Sequence, residues 1–265
     1  MTVEGPDAAS GDALNGSRTI AFRWERDMLE PLREAAPALI GGGTAAESFT
    51  EVPSAMGVPD LSIVVWNIGE LARRRSLGLA PVTDLLQVRL LLAASNGLEL
   101  LSELAQACAV SVPYLRRAVV PVLAAAGWVD ELDGRVDRGP GARVRLRHSL
   151  LPLANRVVTV EAKRSRWQQA MHQAMRHGPS VDIAYVALDA ARAAPAVRQA
   201  KAIARLGVGL LTVSAVTGQV EVVARPAAVM TQQPLRQVLS ERCWALREAG
   251  LDGLEAPAVF GRVLS

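Results

Sequence analysis

The chain has 265 residues, half of them apolar, with 29 Lys or Arg against 26 Asp or Glu. That length and apolar content suit one large domain or two ordinary ones with a real core, and a formal charge of +3 permits a local basic face for nucleic acid without demanding one. Two cysteines with no CxxC pair and only three histidines argue against a structural zinc site; no apolar run reaches the ~18 residues that span a bilayer, so a cytoplasmic protein without a membrane partner is expected.

Residues 1–17 are small, polar and Gly-rich, the composition of a disordered tail. Between Arg18 and Ala38 the residues Ile20, Trp24, Met28, Leu29 and Leu32 recur at helical spacing, and GGG at 41–43 stops the helix. SFTEV (48–52) and DLSIVVW (60–66) predict two strands about the Pro/Gly turn SAMGVP. Helices are expected over 84–95 and 99–109, and a third from Ser111 as N-cap, with Pro121 kinking it. "GWVDELDGRVDRGPGARVRLR" (127–147) then holds two β-prone runs around a Gly/Asp/Pro turn.

The remainder alternates strand and helix. RVVTVEAK (156–163) is a strand, 167–177 a helix, 182–189 a strand, 194–206 a helix, and 208–215 and 219–226 are two more strands. A final helix over 235–249 closes the domain or forms an oligomer contact. Buried strands separated by helices predict an α/β sheet with right-handed crossovers.

The order helix, helix, helix, wing over 81–148 resembles a winged helix-turn-helix DNA-binding domain. Arginine placement supports DNA contact over a mere packing role: seven Arg against four acids lie between Ser111 and Arg147. Arg116 and Arg117 fall in the first turns of the third helix, and Arg143 and Arg145 in the second wing run, where phosphates or base edges are met.

Chemistry concentrates at strand ends. With period-2 alternation Glu161 and Lys163 point to one side, and Asp60 opens another apolar strand. Two carboxylates with an ammonium beside them make an oxygen site for Mg²⁺ (or Mn²⁺) of the kind that hydrolyses a phosphodiester. The plain alternative is a surface ion pair at a strand end. "GVPD" (57–60) followed by "VEAK" (160–163) resembles the PD-(D/E)XK, restriction-endonuclease-like nuclease superfamily. That resemblance implies a mixed sheet flanked by helices, split into 18–80 and 149–265 by the winged-helix insert. It implies that Asp60 and Glu161 are metal ligands and Lys163 the catalytic lysine. It also implies an additional first-helix glutamate, Glu25, with Glu30 and Glu51 as alternatives.

In some members a Gln precedes a Tyr by four residues on the helix after ExK; here Gln173 is present and position 177 is His. His172 and His177 are expected on the surface of that helix, and Arg164 beside the DNA backbone. The implied activity is a metal-dependent DNA nuclease, an endonuclease in preference to an exonuclease. A homodimer is an option by analogy, and the superfamily includes repair and defence nucleases. Because Asp60, Glu161 and Lys163 are all retained, activity is preferred to the other reading, a winged-helix transcriptional regulator with a silent nuclease-like domain. A small-molecule α/β enzyme ranks last, for want of a Gly-rich phosphate loop, a GxSxG or a Cys/His pair.

Overall fold

The computed structural model describes residues 20–41, 46–130, 142–228 and 230–253. The expected tail at 1–17, the expected wing tip with Arg135 and Arg138, and the last residues of the chain lie outside the described residues.

The chain opens with a 3₁₀ turn, Glu25–Met28, and two short helices, α1 (Leu29–Glu34) and α2 (Ala36–Leu39). One continuous helix from Arg18 to Ala38 is therefore not formed. Pro31 and Pro37 each remove an amide donor, and the chain bends at Ala35 between the two helices. Strands β1 (Ala46–Thr50) and β2 (Leu61–Trp66) follow. The first ends earlier than predicted because Glu51 takes a left-handed backbone, φ 52°.

Helix α3 (Ile68–Ser76) was not expected from sequence. The helices α4 (Leu85–Ser95), α5 (Leu101–Ala107), α6 (Val112–Tyr114) and α7 (Val120–Ala125) come next. Asp84 caps α4 by accepting from Gln87 N, and Ser111 caps α6 by accepting from Tyr114 N. The break foreseen at Pro121 appears as a π-helical turn at Leu115–Val119, with Pro121 in the first turn of α7, where a missing donor is tolerated.

After this helical block come β3 (Ala154–Lys163), α8 (Trp167–His177), β4 (Ile183–Asp189), α9 (Ala194–Val197), α10 (Ala200–Arg205), β5 (Val208–Val213), β6 (Val220–Ala224) and α11 (Gln233–Glu248). The six strands form one mixed sheet in sequence order, so the protein is α/β with helices flanking the sheet. β1–β2–β3 is an antiparallel meander, β3–β4–β5 is parallel, and β6 closes the edge antiparallel.

Each face of the sheet buries a separate set of residues. Leu61, Ile63, Val158, Val160 and Ala162 pack under α1 and α2 against Met28, Leu32 and Leu39. Val64, Trp66 and Val157 face α8, α10 and α11 through Ala170, Ala174, Ile203 and Trp244. Each such fully buried large aliphatic contributes about 1.5–3 kcal/mol. The helices between β2 and β3 carry a hydrophobic cluster of their own, from Leu79 to Leu150, which takes only Val238 of α11 from outside.

Helix α11 spends its apolar side inside the chain, with Leu235, Val238, Leu239, Cys243 and Trp244 all buried, and so closes the core. A fully buried Arg74 ties three regions together. It binds Glu70 at 2.8 Å and Glu241 of α11 at 2.7 Å, and its guanidinium lies between the rings of Trp128 and Trp244. Glu241 also accepts from Val82 N and Gln237.

Candidate functional site

The site is built where β2 and β3 run side by side. Leu61 pairs with Val160 in an antiparallel register, so Asp60, one residue before β2, falls opposite Glu161. Strand alternation turns Val158, Val160 and Ala162 into the α1/α2 core and sends Glu161 and Lys163 to the α8 side. The chain thus brings together residues that the helical block separates. Asp60 Oδ2 accepts from Ala162 N at 2.8 Å, across 102 positions of sequence. It also lies 3.5 Å from Lys163 Nζ, which donates in turn to Ala162 O at 3.0 Å.

Glu25 is the first-segment acid that reaches this point. Its Oε2 is 3.4 Å from Lys163 Nζ, and its Oε1 accepts from Arg164 N at 3.3 Å. Glu30 is exposed on α1, and Glu51 is exposed in the turn after β1. Burial pulls the Lys163 ammonium down, but the carboxylates of Asp60, Glu25 and Glu161 outweigh it and hold the pKa above its ordinary value.

Glu161 is 1% exposed. Its Oε1 sits 2.7 Å from His177 Nε2, and its Oε2 is buried with no hydrogen-bond partner. Burial pushes this carboxyl up, the hydrogen bond from His177 pulls it back, and the nearby Asp60 carboxylate pushes it up again. His177 is itself buried, which corrects the expectation that it lies on the surface; His172 is exposed as expected. The reason is helical phase: Ala170, Ala174 and His177 form the inward side of α8. Gly57 of the GVPD stretch (φ 134°) makes room, since a Cβ there would meet His177 Cε1 at 3.0 Å. Gln173, one turn earlier on α8, has a buried Oε1 without a partner.

The chemistry of the donors fits a hard divalent cation in part. Asp60 and Glu161 supply carboxylate oxygens, and the unpartnered Oε2 of Glu161 beside a second carboxylate is an electrostatic deficit that a cation relieves. Glu25 is turned instead to Lys163 and to the Arg164 amide. Among the described residues, no three His, Cys, Asp or Glu side chains gather as a metal cluster.

The predicted DNA-contact residues are spread over separate elements. Arg117 is exposed on the π-helical turn, while Arg116 is half-buried with an unpartnered Nε. Arg143 is exposed but held by Glu99 at 2.6 Å, and Arg145 is exposed. Arg164 follows β3 directly, half-buried with its Nε unpartnered. Beside the acids, Trp24, Glu25, Arg26 and Arg164 line an open pocket of about 530 Å³. The roles of His177 and Trp24 were not read from sequence. The spacing of His177 from Ala170 and Ala174 carried a usable signal, but nothing around Trp24 did.

Comparison with known proteins found no match to a family model, to a curated protein or to a solved structure. Among the described residues no single helix is long and apolar enough to cross a membrane.

Proposed function

We propose that this protein is a metal-dependent DNA nuclease of the PD-(D/E)XK kind, with the helical block between β2 and β3 serving as an inserted winged-helix DNA-binding module. The observation that carries the reading is the convergence of Asp60, Glu161 and Lys163 at the end of two adjacent strands. Such acids and a lysine, so grouped beside a basic residue at the strand exit, suit attack of water on a phosphodiester.

Each side chain has a distinct task. Asp60 and Glu161 would hold Mg²⁺ or Mn²⁺, which would polarise the phosphoryl group and acidify a water. Lys163, kept protonated by three carboxylates, holds a positive charge where negative charge develops on the phosphoryl oxygens. Glu25 and Asp60 fix the Lys163 ammonium from two sides. His177 tethers one oxygen of Glu161 and leaves the other free to bind. Gln173 and Arg164 each keep a buried polar atom without a hydrogen-bond partner. Free, buried Cys108 and Cys243 suit a reducing cytoplasm.

The test is incubation with supercoiled plasmid and Mg²⁺ or Mn²⁺. Wild-type protein is expected to nick or linearise it, and Lys163→Ala and Asp60→Ala to lower the rate by about 10²–10³-fold. Equal cutting by all three proteins would refute the site. A second reading, a winged-helix transcriptional regulator with a silent nuclease-like domain, is favoured by one observation: no three ligating side chains close on one point among the described residues. Lack of metal-dependent cleavage on duplex, branched and single-stranded DNA alike, together with tight duplex binding, would establish it.

A further inference from the structure

The pocket beside the acids is unlike the rest of the surface. Of the five tryptophans, Trp66, Trp128 and Trp244 are buried and Trp167 is half-buried, whereas Trp24 is 50% exposed. The exposed ring stands on a chain with 4% aromatic content and lines the pocket together with Glu25 and Arg164. Trp24 is also firmly seated. The amide of Phe22 donates to the buried Asp189 at 2.8 Å, the Trp24 amide donates to Asp27 Oδ2 at 2.9 Å, and Glu25 is held by Lys163 and by the Arg164 amide. The guanidinium of Arg23 lies 5.4 Å from the indole centroid.

The pocket's remaining walls are Glu25, Arg26 and Arg164. The lining itself carries two cations, Arg26 and Arg164, against one carboxylate, Glu25, which lies 3.4 Å from Lys163 Nζ. A flat apolar ring, donors for a phosphate and a volume of about 530 Å³ lie within the range of pockets that take small organic groups. Every nucleobase has a π-face, and stacking on an aromatic side chain is tolerant of its identity. A base paired inside a duplex cannot offer that face.

We propose that Trp24, with Arg26 and Arg164, receives an unpaired nucleotide next to the scissile phosphate, so that the preferred substrate is DNA with a single-stranded overhang, gap or frayed end. This rests on the nuclease reading, since it is the adjacency of Glu25 and Lys163 to the pocket that sets the nucleotide beside the reacting phosphate. Trp24 stacks on the base, and Arg164 and Arg26 meet its phosphate.

The experiment measures equilibrium binding by fluorescence anisotropy in EDTA, where no cleavage occurs, for a blunt duplex and the same duplex with an overhang. The overhang carries 2-aminopurine in a parallel set. Wild type is expected to prefer the overhang and to quench the 2-aminopurine. Trp24→Leu should lose about 5- to 100-fold of overhang affinity, with the quench abolished, while blunt-duplex binding stays nearly constant. Trp24→Phe, which keeps a ring, should retain most of both, whatever base occupies the overhang.

Equal wild-type affinity for the two duplexes without quenching overturns the inference and leaves the nuclease reading standing. An unchanged preference in Trp24→Leu also overturns it. Wild type that binds neither duplex overturns this inference, and the plasmid assay with Mg²⁺ or Mn²⁺ then decides the nuclease reading separately. Should Trp24→Leu fail to fold, the wild-type quench and the Trp24→Phe comparison still decide.

Discussion

Replacing His177 by Ala separates a ligand-positioning role from a packing role. In the folded protein Glu161 Oε1 has His177 Nε2 at 2.7 Å as its partner and Oε2 has none, inside a site where the residue is 1% exposed. Without the imidazole both oxygens of a buried carboxylate lack a donor. That costs about 1–3 kcal/mol for a polar group and more for a charge, and it pushes further up a carboxyl that burial has already raised. A carboxylate that is harder to ionise and free to rotate binds a cation less well. Loss of a residue that orients a ligand typically lowers metal affinity about 10- to 100-fold.

The assay is a Mn²⁺ titration followed by calorimetry, with urea unfolding of the same samples by tryptophan fluorescence. Wild type should bind Mn²⁺, His177→Ala should bind it at least tenfold more weakly, and His177→Gln, which offers an amide donor from a similar position, should recover most of the affinity. A folded His177→Ala protein that binds Mn²⁺ as tightly as wild type would refute the assignment of Glu161 as a ligand oriented by His177. A loss of urea stability with unchanged Mn²⁺ binding would reduce His177 to a packing residue.

Arg74→Met should cost about 3–5 kcal/mol in urea unfolding, because it leaves Glu241 in the interior without its counter-ion, whereas Glu70 keeps Arg73; adding Glu241→Gln should recover part of that loss, and a cost under about 1 kcal/mol would contradict the buried network. In acid the stability supplied by Glu70 should fade. Burial pushes its carboxyl up, but hydrogen bonds from Arg73 and Arg74 outweigh this and set its folded pKa below 4.5. Its contribution is therefore complete above 4.5 and is lost as pH falls through the lower folded value, so Glu70→Gln should narrow the gap in urea midpoint between neutral and acid pH, and an unchanged gap would speak against it. Arg116→Ala with Arg117→Ala should weaken DNA binding and flatten its dependence on salt, by up to about 0.9 in log–log slope for each phosphate that is no longer neutralised. Arg143→Ala should do less, because Glu99 already occupies that guanidinium; the salt series on the three proteins measures both.

How much was legible follows from what each feature depends on. The strand pair and α8 were readable, because β-branched alternation and the Gln-rich helical run are local signals, whereas the adjacency of β2 and β3 was expected only from the family resemblance, with the helical block as an insert between them. Helix α3 was missed although Asn67 caps it by accepting from Glu70 N, a cap-and-glutamate spacing visible in sequence. The burial of Arg74 was not readable at all, since it requires Glu241, 167 positions away. Sequence put Glu25 first but could not set Glu30 and Glu51 aside; Glu25 lies 3.4 Å from Lys163, while Glu30 on α1 and Glu51 after β1 are exposed.

Burial is what separates Glu161 and Lys163 from an ordinary ion pair at a strand end. Lys163 contacts Asp60 and Glu25 directly, and Glu161 faces a histidine rather than the lysine. Three acids therefore share one ammonium in a partly desolvated corner. A solvated surface would screen that surplus, but Glu161 is sealed from water and keeps one oxygen without any donor. Such an excess of negative charge is relieved by a proton or by a cation. Burial and the Asp60 carboxylate raise the Glu161 carboxyl, and a divalent ion placed between the two acids would relieve the same excess and favour the ionised form, so that metal binding and proton binding would compete at this residue.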